Sequence, residues 1–122
     1  MTKILVVDDE QAICELLFEF LTMKGYEAIT ATSGEEALAK VKAERPQVVI
    51  LDIKMPGMGG LEVLKEVKAF DSNIAVIMAT AVMDEDVGQE AMRRGADDYI
   101  TKPLNLNYLE MSLLVKIAML EP

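Results

Sequence analysis

The chain has 122 residues, 52% of them hydrophobic and only 5% aromatic, and a net charge of −9 at pH 7. That length suits one domain, able to bury roughly two-thirds of its unfolded surface, with a core of Val, Ile, Leu, Ala and Met too apolar for disorder. The acidic balance argues against direct nucleic-acid binding, which needs a basic face. A single cysteine (Cys14) and no histidine exclude an internal disulfide, a thiolate–imidazole zinc site and Ser-His or Cys-His catalysis. The lone thiol points to a reducing, cytoplasmic setting. Acids from Asp8 onward interrupt any secretory pattern, and Glu110 and Lys116 break the last apolar run too soon for a membrane span. Residues 1–122 are therefore expected to form one soluble domain, with Pro122 either ending the protein or preceding a further domain.

In chain order, Ile4-Leu5-Val6-Val7 reads as a first strand ending in Asp8-Asp9-Glu10. Ile13, Leu16, Leu17, Phe20 and Leu21 then mark a helix face up to Gly25, with Cys14 beside that stripe as a small buried residue. Residues 26–30 make a second strand of mixed polarity, suited to a sheet edge. Ser33 and Glu36 form a capping-box pair, opening a helix with Ala37, Leu38 and Val41 apolar, which Pro46 stops. Val48-Val49-Ile50-Leu51 is a short unbroken apolar run of the kind buried on both faces of a parallel sheet. It ends abruptly in Asp52, before a loop shaped by Pro56, Gly57, Gly59 and Gly60. Leu61, Leu64, Val67 and Lys68 mark the next helix, with a glycine at 59 or 60 where Asp or Ser would cap better.

Residues 74–79 form another central strand, ending at Thr80. The helix after it carries acid at Asp84-Glu85-Asp86 and base at Arg93-Arg94, matching the helix dipole. It is otherwise the poorest helix, with Gly88 inside it. Residues 97–101 are the last strand, closed by Lys102-Pro103, and Asn105 caps a final helix to Leu120. Five strands alternating with five helices predict an α/β fold, a doubly wound parallel sheet with helices on both faces.

Parallel strands share direction, so Asp8, Asp9, Asp52, Thr80 and Lys102 all fall at one sheet edge. The second strand ends without evident chemistry, which fits an outer position and the strand order 2-1-3-4-5, flavodoxin-like, with a crevice between the first and third strands. Three carboxylates there repel one another unless a cation joins them. Oxygen-only ligands open to water suit Mg²⁺. A carboxylate beside such an ion, with an ammonium opposite, is a competent phosphoryl acceptor, and the Thr80 hydroxyl can hydrogen-bond a phosphoryl oxygen. Each residue also has a plainer role available: Asp9 as a helix cap, Thr80 as a strand-favouring residue, Lys102 as a surface charge. Their convergence on one edge favours the site.

D-D-E after the first strand, D-I-K-M-P-G-M-G-G-L-E from Asp52, A-T-A around Thr80 and K-P at Lys102 resemble the response-regulator receiver domain over essentially the whole chain. The resemblance implies Asp52 as phosphoacceptor and Asp8 and Asp9 as the acidic metal pair, Asp9 the more direct ligand. Lys54 would give the ion its backbone carbonyl, Thr80 would be the switch hydroxyl and Lys102 the phosphoryl-binding lysine, with a cis bond to Pro103. Tyr99 would rotate inward on phosphorylation, although an ordinary strand aromatic is its plainer reading. The implied partner is a sensor histidine kinase or histidine phosphotransfer protein, and the implied activity is that of a signalling switch rather than a turnover enzyme. Gly59 departs from an Asp common in the family, and Lys54 and Val82 occupy positions that vary there and affect phosphoryl lifetime.

The last helix has two apolar stripes. Leu106, Leu109, Leu113, Ile117 and Leu120 suit the core, while Tyr108, Met111, Val115 and Met119 lie on roughly the opposite side. The second stripe, with the fourth helix and last strand, is expected to contact a second copy or an output domain. Two other readings stay open: a receiver-like interaction module that is never phosphorylated, and an aspartate-dependent phosphatase. The latter expects a D-x-D nucleophile after the first strand and an inserted cap, where this chain has adjacent acids and no long insertion.

Overall fold

The apolar runs become strands and the periodic segments helices, in strict alternation. The computed structural model describes residues 1–81 and 85–120. The order is β1 (Lys3–Val7), α1 (Gln11–Met23), β2 (Glu27–Ala31), α2 (Gly34–Glu44), β3 (Val48–Asp52), α3 (Gly60–Phe70), β4 (Ala75–Ala81), α4 (Glu85–Arg93), β5 (Asp98–Lys102) and α5 (Leu106–Leu120). All strands are parallel, in the order β2-β1-β3-β4-β5, as the sequence predicts. Val82 and Asp84, singled out in the sequence, and Pro122 lie outside the described residues.

Alternate side chains of each strand feed two cores. Leu5, Val7, Val49, Leu51, Val76 and Met78 pack with α2, α3 and Ala91 of α4. Ile4, Val6, Val48, Ile50, Ala75 and Ile77 pack with Cys14, Leu17 and Leu21 of α1 and with Leu109 and Leu113 of α5. Every residue of β3 is buried, which its unbroken apolar run requires, at about 1.5–3 kcal/mol of stabilisation for each large side chain taken out of water. β2 lies at an edge and is buried only at Ala31, as its mixed polarity anticipates.

Several local expectations are revised. In α1 the buried positions are Cys14, Leu17 and Leu21, whereas Leu16 is 52% exposed. The core stripe is therefore rotated towards Cys14, whose thiol lies against the Asp8 and Ala31 carbonyls at the ends of β1 and β2. At α2 the Ser33 hydroxyl accepts from the Glu36 N–H at 3.1 Å, but the Glu36 carboxylate returns to the Thr32 N–H at 2.7 Å rather than to Ser33. The reciprocal arm of the capping box is thus displaced by one residue. In α3, Val63 is buried with Leu64 and Val67, a position outside the expected stripe.

Lys68 does not extend the apolar stripe of α3. Its ammonium reaches the Asp97 carboxylate at 2.9 Å and the Ile74 carbonyl at 2.6 Å. Asp97 in turn accepts the Val76 N–H at 2.8 Å. This ties α3 to the starts of β4 and β5, at the sheet edge opposite the acids. Arg93 and Arg94 close i,i+3 and i,i+4 pairs on Glu90 as well as standing at the helix end. Asn105 caps α5 as expected, its side chain accepting the Tyr108 N–H at 3.1 Å. No helix among the described residues is long and apolar enough to cross a membrane.

Candidate functional site

Strand register brings the polar residues together. Val7 pairs with Leu51, Asp52 with Ala79, and Ala81 with Lys102, so Asp8, Asp52, Thr80 and Lys102 emerge side by side at the carboxyl edge. Asp8 and Asp52 are only 3% and 6% exposed, because β1 and β3 are interior strands and their last residues are still covered. Asp9, one residue past Asp8, is exposed. Carboxylate oxygens of Asp8, Asp9 and Asp52 all lie within 4.8 Å of one another.

Lys102 closes the group. Its Nζ is 2.9 Å from Asp8 Oδ2 and 3.3 Å from Asp52 Oδ1, so it is a bridging cation rather than a solvated surface charge. Burial lowers its affinity for a proton, but the hydrogen bond to Asp8 and the charge of Asp52 outweigh this and leave its pKa raised. Burial pushes Asp52 up to about 6; the Lys102 charge opposes that rise, while Asp8 and then Asp9 add to it. One ammonium therefore does not balance three acids. A divalent cation on oxygen ligands fits this donor set, because it supplies the missing charge beside carboxylates that are largely buried.

Backbone contacts fix the acids. Asp8 Oδ1 accepts the Glu10 N–H at 2.9 Å, and the Cys14 thiol donates to the Asp8 carbonyl at 3.3 Å. The N-cap of α1 is Glu10, with no side-chain cap bond, so Asp9 does not act as the helix cap. Beyond Asp52, Ile53 donates to Ala79 O at 3.0 Å, and Gly60 donates back to Ile53 O at 2.8 Å. A β-carbon on Gly60 would run into the Asp52 carbonyl oxygen and stand 2.6 Å from Ile53 Cα. The loop can close over Asp52 only because residue 60 has no side chain.

The mouth of the site is a cavity of about 280 Å³ lined by Asp9, Glu10, Asp52, Ile53, Lys54, Thr80, Ala81 and Lys102. Thr80 is buried, its hydroxyl donating to the Ala81 carbonyl at 3.4 Å. The Lys102–Pro103 peptide is cis, as the resemblance implied. Tyr99 is not in the cavity: it is half-buried two residues down β5 from Thr101, packed on the core that includes Met78 and Ala91. Sequence reasoning passed over the Glu10 N–H, which has no side-chain signature. Of the two glycines expected at the helix cap, Gly59 is the N-cap, while Gly60 answers to the close approach of the Asp52 backbone, which a glycine so soon after a buried Asp can signal.

The description of the response regulator receiver domain matches residues 4–113. This chain belongs to that family. Among curated receiver-containing relatives, sporulation initiation phosphotransferase F of Bacillus subtilis (strain 168) is 44% identical over 105 residues, covering 86% of this chain and 85% of the relative. The alkaline phosphatase synthesis transcriptional regulatory protein PhoP of the same organism is 43% identical over 103 residues, which is 84% of this chain but only 43% of PhoP. The chain thus spans most of one relative and less than half of the other. The receiver domain protein from Clostridium thermocellum superposes with a TM-score of 0.94 at 35% identity, covering 98% of this chain and 96% of that one.

Proposed function

We propose that this receiver domain takes a phosphoryl group onto Asp52 from a histidine of a sensor kinase or phosphotransfer protein, and signals through its α4-β5-α5 face. The observation that carries the reading is the pairing of a buried Asp52 with the Lys102 ammonium at 3.3 Å, in a cavity that also presents Thr80 and Asp9, with Asp8 close by. In the transfer, an Asp52 oxygen attacks phosphorus, a new O–P bond forms as the donor's N–P bond breaks, and the departing imidazole is left to take up a proton from solvent. Lys102 leaves Asp52 to pair with a phosphoryl oxygen, which holds that charge in place as the bond forms. The Thr80 hydroxyl turns to donate to another phosphoryl oxygen.

Asp8, Asp9 and Asp52, with the Lys54 backbone carbonyl, would hold Mg²⁺, Asp9 as the more direct ligand of the acidic pair. When bound, the ion supplies positive charge against the phosphoryl oxygens. Phosphorylation adds charge and acceptor oxygens beside Thr80, and Tyr99 follows Thr80 inward, changing the surface of α4, β5 and α5. The exposed Tyr108, Met111, Val115 and Met119 give that surface an apolar face for a second copy or an output domain.

Incubation with acetyl phosphate and Mg²⁺ followed by intact mass measurement tests the acceptor. A phosphoryl adduct on the parent, absent from Asp52→Asn, is expected. An absence of adduct with this donor and with a phosphohistidine donor would instead favour an interaction module that is never phosphorylated.

A further inference from the structure

Gly88 lies in the interior of α4, where glycine is the least favourable residue apart from proline. Its backbone does not call for glycine, since its φ is outside the left-handed region in which Gly25, Gly57 and Gly95 fall. Yet it is buried, and what covers it is the ring of Tyr99. A β-carbon on Gly88 would stand 2.7 Å from Tyr99 Cδ2, 2.8 Å from Cε2 and 3.1 Å from Cγ, and these are the three atoms nearest to it. The first two distances are shorter than carbon–carbon contact permits. Tyr99 therefore rests on bare helix backbone, in a seat that any side chain at position 88 would fill.

The seat joins two elements. Tyr99 pairs with Met78 in β4, two residues before Thr80, and packs on the core that contains Ala91 of α4. With an aromatic face lying directly on α4, the ring cannot leave without uncovering the helix.

We propose that Gly88 is a positioning residue, its bare backbone seating the Tyr99 ring in the unphosphorylated domain, and that departure of the ring from this seat carries the state of Asp52 to α4. The inference rests on the reading of Asp52 and Tyr99 given above and assigns the contact through which they act.

Aromatic ring currents make the seat directly observable. In the whole chain, the Gly88 α-proton resonances are expected to lie upfield, to return to ordinary helical positions in Tyr99→Leu, and to move towards the Tyr99→Leu positions when acetyl phosphate and Mg²⁺ are added to the parent. Intact mass is read on the same samples. Resonances indifferent to Tyr99→Leu would overturn the seat. A phosphoryl adduct with unmoved Gly88 resonances would overturn the coupling while leaving Asp52 as acceptor, and no adduct with acetyl phosphate or with a phosphohistidine donor would overturn the Asp52 reading and this coupling with it.

Melting temperature supplies a second test. Gly88→Ala should lower it in the parent and raise it in a Tyr99→Ala background, where the seat is vacant and only helix propensity acts. A shift of the same sign in both backgrounds would show that the ring does not need the glycine.

Discussion

The proton on Asp52 links the site to the stability of the domain. Its carboxyl rises from 3.8 to about 6 on folding, mainly through burial, so the folded chain holds that proton more tightly than the unfolded chain does. The resulting stabilisation is complete below the unfolded value and is lost as pH rises through 6. Two pKa units correspond to about 3 kcal/mol at the upper limit. In urea melts with chelator present, Asp52→Asn should therefore be more stable than the parent at pH 7.5, with the difference shrinking towards pH 4. A difference independent of pH would contradict this. Adding Mg²⁺ at pH 7.5 should stabilise the parent more than Asp52→Asn, since a ligand that prefers the folded state shifts unfolding by mass action.

At the scale of elements, two adjacent glycines at the entry to α3 have opposite sensitivities. Gly59 is the N-cap, extended at φ −79°, and a β-carbon there meets only the Ile53 carbonyl at 3.6 Å, an ordinary contact. Gly59→Asp should raise stability by a few tenths of a kcal/mol through a side-chain cap. Gly60→Ala should cost about 1–3 kcal/mol, the usual range for overpacking, because the new methyl is driven into the backbone that carries Asp52. It should also slow phosphorylation. Denaturation curves and adduct-formation rates on the two variants read both effects. At α2, where the cap bond is made by a side chain, Ser33→Ala should lose about 1 kcal/mol in the same denaturation assay.

At the scale of the whole molecule, α5 carries more large exposed apolar side chains than any other helix among the described residues. Met111, Val115 and Met119 are 65%, 54% and 74% exposed, and Leu114, outside the expected stripe, is also exposed. The inner side of the same helix is anchored by Leu109 and Leu113. The Asp98 carboxylate accepts from Tyr108 at 3.0 Å and Ser112 at 2.7 Å, tying α5 to β5. Light scattering should show the phosphorylated parent heavier than phosphorylated Val115→Glu. Identical monomer masses for both, in every phosphorylation state, would remove self-association through this face.

The alternation of strand and helix, the buried β3 and the alignment of Asp8, Asp52, Thr80 and Lys102 were legible in the sequence. Each follows from local periodicity and from the single fact that parallel strands point the same way. The α5 stripe of Tyr108, Met111, Val115 and Met119 was legible for the same reason, as was the Ser33 cap. What only the tertiary structure decided are distances between elements remote in sequence: Lys102 bridging Asp8 and Asp52, Lys68 reaching Asp97, and the core of α1 turning towards Cys14 and away from Leu16. The two glycines belong here as well. A glycine's role is set by what lies where its side chain would be, and for Gly60 that is the backbone of Asp52, for Gly88 the ring of Tyr99. Neither neighbour is visible from the glycine's own place in the chain.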